Sequence, residues 1–174
     1  MLCELVQRLL GEGYKVVLRP HPEKAKQIFM EQIAEKFKAV EGEMFVYDTT
    51  PRMSKELMEE AFVIIGHGSS VVQTFPLTTF KPAILFMPDK EFFTRNSLDS
   101  KFVANEKTHI LAHSVDEILE ICQQLQRDSQ AHQQEIKAYR EEHIYNLGRS
   151  NQFIANFIEK LVLKVQNDKK HIGG

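Results

Sequence analysis

Two rhythms of apolar residues alternate along this chain. Leu2, Leu5, Val6, Leu9 and Leu10 recur at helical steps and stop at Gly11 and Gly13, the residue type that most readily takes a left-handed helix cap. The spacing predicts an opening helix. Tyr14-Lys15-Val16-Val17-Leu18 then forms a short β-branched run closed by Pro20 and Pro22, which reads as a buried strand, and Pro22 suits the first position of the next helix. In that helix Ala25, Ile28, Phe29, Ile33 and Phe37 make one apolar stripe on a charged cylinder. The alternation continues with a strand at Met44 to Tyr47. Asp48-Thr49-Thr50-Pro51 then reads as the turn leading into a short helix over Met53 to Ala61. Phe62 to Ile65 is a third strand, and a helix-like segment runs to Phe80, kinked by Pro76. Pro82 to Phe86 is a fourth strand, a loop covers Met87 to about Lys107, and His109 to Ala112 is a weaker fifth. Ser114 with Glu117 makes a capping box for a helix that turns Val115, Ile118, Leu119, Cys122 and Leu125 inward.

Beyond this the pattern changes. Ser129 to His143 is charged and Gln-rich, as expected of a solvated surface helix, and Asn146-Leu147-Gly148 breaks it. Phe153, Ile154, Phe157, Ile158, Leu161, Val162 and Val165 then return at helical period and must pack on something apolar. Strands alternating with helices predict an α/β, Rossmann-like, three-layer domain with a mostly parallel sheet of about five strands. Its expected extent is residues 1–166, with a polar tail at 167–174. A helix that runs straight into the second element of such a unit suggests that an N-terminal partner domain precedes it.

Composition narrows the function without naming it. At 174 residues and 43% hydrophobic, the chain can bury one core. Lys and Arg total 22 against 24 Asp and Glu, so nothing advertises a nucleic-acid or anionic-membrane partner, and any phosphate site must be local. Cys3 and Cys122 lie on apolar helix faces, where reduced, buried thiols of a cytoplasmic protein are expected rather than a disulfide. No apolar run approaches the ~20 residues of a membrane span, and the N-terminus lacks a signal-peptide pattern.

Ligands of open parallel sheets bind beyond the carboxyl ends of the strands, where helix N-termini aim unpaired N–H groups outward. Three loops qualify. Arg19-Pro20-His21-Pro22 puts a guanidinium and an imidazole directly after a strand, which suits a phosphate; His21 capping the next helix and Arg19 pairing with a nearby Glu is the structural alternative. Gly66-His67-Gly68-Ser69-Ser70 lets the backbone approach a ligand and offers hydroxyls and successive N–H groups to an oxyanion, or else it is a tight turn capped by a serine. No glycine stands two residues after either serine, so a hydrolase nucleophile elbow is not indicated. Asp48-Thr49-Thr50 reads first as a helix cap whose hydroxyls could reach a ligand. Asp89, Glu91 and Arg95 could border the same cleft, and are otherwise solvated loop charges. His109, His113, His132 and His143 lack metal-ligand spacing, so no metal is expected.

In this order, Arg-Pro-His-Pro, Asp-Thr-Thr, Val-Ile-Ile-Gly-His-Gly-Ser-Ser and Lys81-Pro82-Ala83-Ile84-Leu85-Phe86 resemble the C-terminal half of CDP-glycerol glycerophosphotransferases, the teichoic-acid polymerase type. The likeness spans about Gly13 to Asp89, with a fainter echo at Asn146 to Ser150. It implies a GT-B architecture and a metal-independent, cofactor-independent transfer from a CDP- or CMP-linked donor to an acceptor hydroxyl in cell-surface polymer synthesis. The donor would be held by this half and the acceptor by an N-terminal domain, so this half alone would be inactive. Carried over by residue, Arg19, His21, His67, Gly68, Ser69 and Ser70 would hold the donor phosphates, and Asp48, Thr49, Thr50 and Thr74 would line the nucleotide pocket. The resemblance further implies a cytoplasmic enzyme at the inner face of the membrane, attached only through regions outside this chain. Two departures bear on the transferred group. Where the family reads Asp-Tyr-Ser-Ser with a further Asp four residues on, this chain has His67-Gly68 before the serines and Thr74 in place of that Asp. The same His-Pro and Ser-Ser pair is similar to bacterial sialyl- and polysialyltransferases, which use CMP-activated sugars. A UDP-sugar epimerase-like domain and a non-catalytic nucleotide-binding module complete the alternatives.

Overall fold

The computed structural model describes residues 1–21, 24–96 and 105–172; Pro22, expected to start a helix, and part of the loop after the fourth strand lie outside them. Helix α1 (Leu2–Gly11) is closed by Gly13 at φ +83°. The Gly13 N–H donates to Leu10 O and the Tyr14 N–H to Leu9 O, both at 3.0 Å, which is the paired closure that a left-handed glycine permits. Strand β1 (Val16–Leu18), helix α2 (Lys24–Lys36), a 3-10 turn (Lys38–Val40) and strand β2 (Phe45–Tyr47) follow. Next come α3 (Lys55–Glu60), β3 (Ile64–Gly66), α4 (Ser70–Thr79), β4 (Ala83–Phe86) and α5 (Phe92–Arg95). The chain then runs through β5 (His109–Ala112), α6 (Val115–Arg127), α7 (Gln130–His143) and α8 (Ser150–Ile172).

All strand pairings are parallel, in two ladders: β1 with β2, and β3-β4-β5. The expected sheet of about five strands is therefore present as two hydrogen-bonded pieces that share a core. Val16 of β1 and Ile65 of β3 both pack against one cluster that includes Ile84, Ala112 and Ile118, while α1 gives Leu5 and Leu9 to this cluster and Val6 to the one over β1–β2. Layering follows from the two-residue alternation of β4. Ile84 faces the α1–α6 side, whereas Ala83 and Leu85 face Val72 of α4 and Phe93 of α5. All three are fully buried. Burial of a side chain such as Ile84 or Leu85 contributes about 1.5–3 kcal/mol, so a helix layer on each face of β4 accounts for its all-apolar sequence.

Residues Met1–Ile136 form one compact unit and Lys137–Gly174 a second. The break at Asn146-Leu147-Gly148 falls in the second, with Asn146 at φ +55° and Gly148 at φ +74°. Helix α8 extends through Asn167 to Ile172, which the polarity of that stretch had marked as a tail. Its apolar row, expected to pack, stays about half exposed; Phe153 is 56% and Leu161 46% accessible, so the second unit does not itself supply the cover.

Candidate phosphate-binding site

Tyr14, just before β1, and Phe62, just before β3, stack with ring centroids 5.7 Å apart. This contact brings the starts of the two strands together. With Val16 and Ile65 in one cluster, the ladders run in the same direction, and the loops after β1, β2, β3 and β4 emerge at one edge. That edge carries every residue singled out in the first three loops.

In the first loop, Arg19 does not reach outward. Register pairs Leu18 with Tyr47 and the Asp48 N–H donates to Leu18 O, so the next residues, Arg19 and Asp48, stand side by side and form an ion pair. The guanidinium also donates to Thr50 Oγ1 at 3.1 Å and Thr50 O at 2.9 Å. Asp48 Oδ1 in turn accepts from the Thr50 N–H at 2.9 Å and lies 2.7 Å from the Thr50 hydroxyl. Arg19 and Asp48 are only 19% and 16% exposed. His21 and Thr49, their neighbours in sequence, are exposed.

The expected role of Asp48 to Pro51 in starting a helix is corrected by the cap of α3. Ser54 fills that position, its hydroxyl accepting from the Leu57 N–H at 3.1 Å, because the Asp48 carboxylate is already engaged by Arg19 and Thr50. Lys81 Nζ closes the other end of α3, donating to Ala61 O at 2.8 Å and to Glu59 O.

The loop after β3 is shaped by one close approach. A Cβ on Gly66 would lie 2.5 Å from Val72 Cγ2, so only glycine lets the first turn of α4 sit so near the strand. Gly68 follows at φ +98° and Ser69 becomes the N-cap of α4. Unlike Ser54, and unlike Ser114, which accepts from the Glu117 N–H at 3.1 Å, Ser69 makes no side-chain cap bond. The leading N–H groups of a helix have no intrahelical partner, so the Ser69 hydroxyl and the start of α4 together present donors at the sheet edge. His67 is exposed, its ring edge-on to Phe92 of α5 with centroids 6.0 Å apart. Thr74 turns back on its own helix, its hydroxyl 3.1 Å from Ser70 O.

Two residues behind this loop carry no family motif. Pro76 lies inside α4 and lacks the N–H that would bond Val72 O; His109 Nε2 reaches that carbonyl at 3.3 Å instead. Facing an acceptor, Nε2 carries the hydrogen, and Nδ1 meets the Thr108 hydroxyl at 2.8 Å. A proline inside a helix followed by a lone histidine in a buried strand was the sequence signal for this contact. Burial pushes His109 below the ordinary histidine value, against the weaker opposing pull of carbonyl bonds to Val72 and Asn105.

Elsewhere, Asp89 pairs with Arg95 across the first turn of α5. The His113 ring bonds Met87 O at 2.7 Å, tying the end of β5 to the loop after β4. Cys122 is buried with its thiol pushed up to about 11 by desolvation, and Cys3 is partly buried; both are free thiols. Among the described residues no group of three or more His, Cys, Asp or Glu could hold a metal ion, and no helix is long and apolar enough to cross a membrane. Pockets of about 220 and 200 Å³ lie against Ile121 and Tyr47 respectively, and neither is lined by the expected site residues.

No curated protein and no solved structure gives a significant match to this chain. The family model described as CDP-Glycerol:Poly(glycerophosphate) glycerophosphotransferase matches residues 2–160, from the first turn of α1 into α8 and well beyond the motif-bearing stretch. The ordered His-Pro and Ser-Ser corners and the parallel α/β frame that carries them thus have one source: the chain belongs to the CDP-glycerol:poly(glycerophosphate) glycerophosphotransferase family, a family of transferases.

Proposed function

We propose that this chain binds the nucleotide-phosphate end of a cytidine-activated donor, with CDP-glycerol as the family's own example, for transfer to an acceptor hydroxyl. The observation that carries this reading is the unspent cap of α4. Of the N-cap serines of α3, α4 and α6, only Ser69 leaves its hydroxyl out of capping, and it follows the left-handed Gly68 at the sheet edge where the family's Ser-Ser pair belongs. An anion there meets a hydroxyl, unpaired N–H groups and the positive end of a helix dipole. His21, exposed at the end of the neighbouring ladder, supplies a second polar contact.

In the transfer, the acceptor oxygen bonds to the activated centre while the bond to the leaving nucleotide phosphate breaks, its electron pair passing to the phosphate oxygen and the hydroxyl proton passing to a general base on the acceptor-binding N-terminal domain. Ser69, Ser70, His21 and the α4 N–H groups stabilise the charge that grows on that phosphate. His67 and Thr74 stand where the family carries carboxylates, which sets this chain apart in how it would meet the transferred group. Calorimetry with CMP, CDP, UMP and UDP tests the reading. Cytidine nucleotides should bind, and His21→Ala should weaken them by about 1.5–3 kcal/mol while leaving the fold intact. Absence of heat with all four would remove it.

A further inference from the structure

We propose that Arg19, Asp48 and Thr50 act as a clamp that locks the loops after β1 and β2 to each other and so presents His21 and Thr49 to the donor, making Arg19 a positioning residue rather than a phosphate ligand. The inference rests on the donor-site reading only for what the clamp serves; its geometry stands on its own. Arg19 spends its fork on the Asp48 carboxylate, Thr50 Oγ1 at 3.1 Å and Thr50 O at 2.9 Å. Asp48 answers by taking the Thr50 N–H at 2.9 Å, so these bonds tie the two loops to each other. A planar guanidinium suits such a task, since it fixes direction as well as distance.

Chain geometry does the rest. Asp48 and Thr50 both bond Arg19, and Thr49 between them is exposed, as is Thr50; His21, two residues beyond Arg19, is exposed as well. The Arg19 charge is largely cancelled by its carboxylate partner in a pair that is about four-fifths shielded from solvent. An incoming phosphate would have to break a shielded ion pair to recruit it. Freeing Arg19 from Asp48 therefore separates the two roles, because a ligand arginine gains from the loss of a competing carboxylate and a clamp does not.

The test compares wild type with Asp48→Asn, Arg19→Met, the double variant and the milder Thr50→Val, which keeps the ion pair. Two measurements are made on each: CDP affinity by calorimetry, and amide hydrogen exchange of the ligand-free protein at Arg19–His21 and Asp48–Arg52. The clamp predicts that Asp48→Asn and Arg19→Met each weaken CDP binding about three- to tenfold, with the double variant no worse than the weaker single. It also predicts that exchange rises in both loops whichever loop is altered, Thr50→Val included, while β4 stays protected. Tighter CDP binding by Asp48→Asn, or exchange that rises only in the loop carrying the substitution, overturns the clamp. If wild type binds no nucleotide, the donor reading falls, and the exchange coupling still decides whether the loops are locked.

Discussion

Gly66 shows how one missing methyl group sets the position of a helix. With a Cβ there 2.5 Å from Val72 Cγ2, Gly66→Ala must displace the Val72 side chain, at a cost of about 1–3 kcal/mol typical of an overfilled core. Urea denaturation should show that loss, and Val72→Ala in the same background should recover part of it. His109 holds the same turn from the far side through Val72 O. Because burial lowers its folded pKa, both folded and unfolded states are neutral above the ordinary histidine value of about 6.5, where stability is complete. As pH drops, the unfolded chain takes up the proton first, so stability is lost as pH falls through the depressed folded value. Urea midpoints measured from neutral to mildly acidic pH should therefore decline, and His109→Gln, which keeps an N–H donor and cannot titrate, should flatten that part of the curve. Neither contact could be read from the residue types alone. Gly66 reads as a turn glycine, and His109 reads only as a strand residue without metal-ligand spacing; its partner is the carbonyl that Pro76 leaves open.

Helix caps make a sharper contrast, because the same residue type does two different jobs. Ser54 and Ser114 bond the N–H three residues on, at 3.1 Å each, and replacing either with alanine should cost about 1 kcal/mol of stability. Ser69 occupies the same position in α4 without that bond, so Ser69→Ala should change stability by no more than about 0.5 kcal/mol and act on nucleotide affinity instead. Thermal denaturation of the three variants, with CDP titration of the third, checks this. The box at Ser114 and Glu117 was legible beforehand, since its spacing is the signature. The start of α3 was not: Asp48 and Ser54 both have cap chemistry, but Asp48 pairs with Arg19 of the loop after β1 while Ser54 caps the helix. Strand ends were misplaced for a similar reason. Tyr14 and Phe62 have strand-like side chains, yet Tyr14 donates its N–H to Leu9 O to close α1, and the two rings, each just ahead of its strand, stack on each other.

Periodicity carried the layered architecture, because a parallel sheet covered on both faces imposes all-apolar strands alternating with one-sided helices whatever the details of pairing. It could not reveal that the hydrogen bonds divide into ladders of two and three strands, which depends on backbone spacing rather than side-chain type. Nor could it set the boundary at Ile136, since α7 reads as one continuous charged helix even though Ile136 within it is fully buried. That boundary leads to a prediction about independence. The three hydrophobic clusters draw all their buried members from Leu5 to Cys122, entirely inside the first unit. A chain ending at His143, which retains Ile136 and the whole of α7, should keep a cooperative unfolding transition with a midpoint close to that of the full chain. The donor corners at Arg19–His21 and Gly66–Ser70 lie in the retained part, so CDP affinity should persist as well. Loss of cooperativity on removing residues 144–174 would mean that α8 completes the fold of the first unit, whereas loss of affinity with the transition intact would place part of the nucleotide contact in the second.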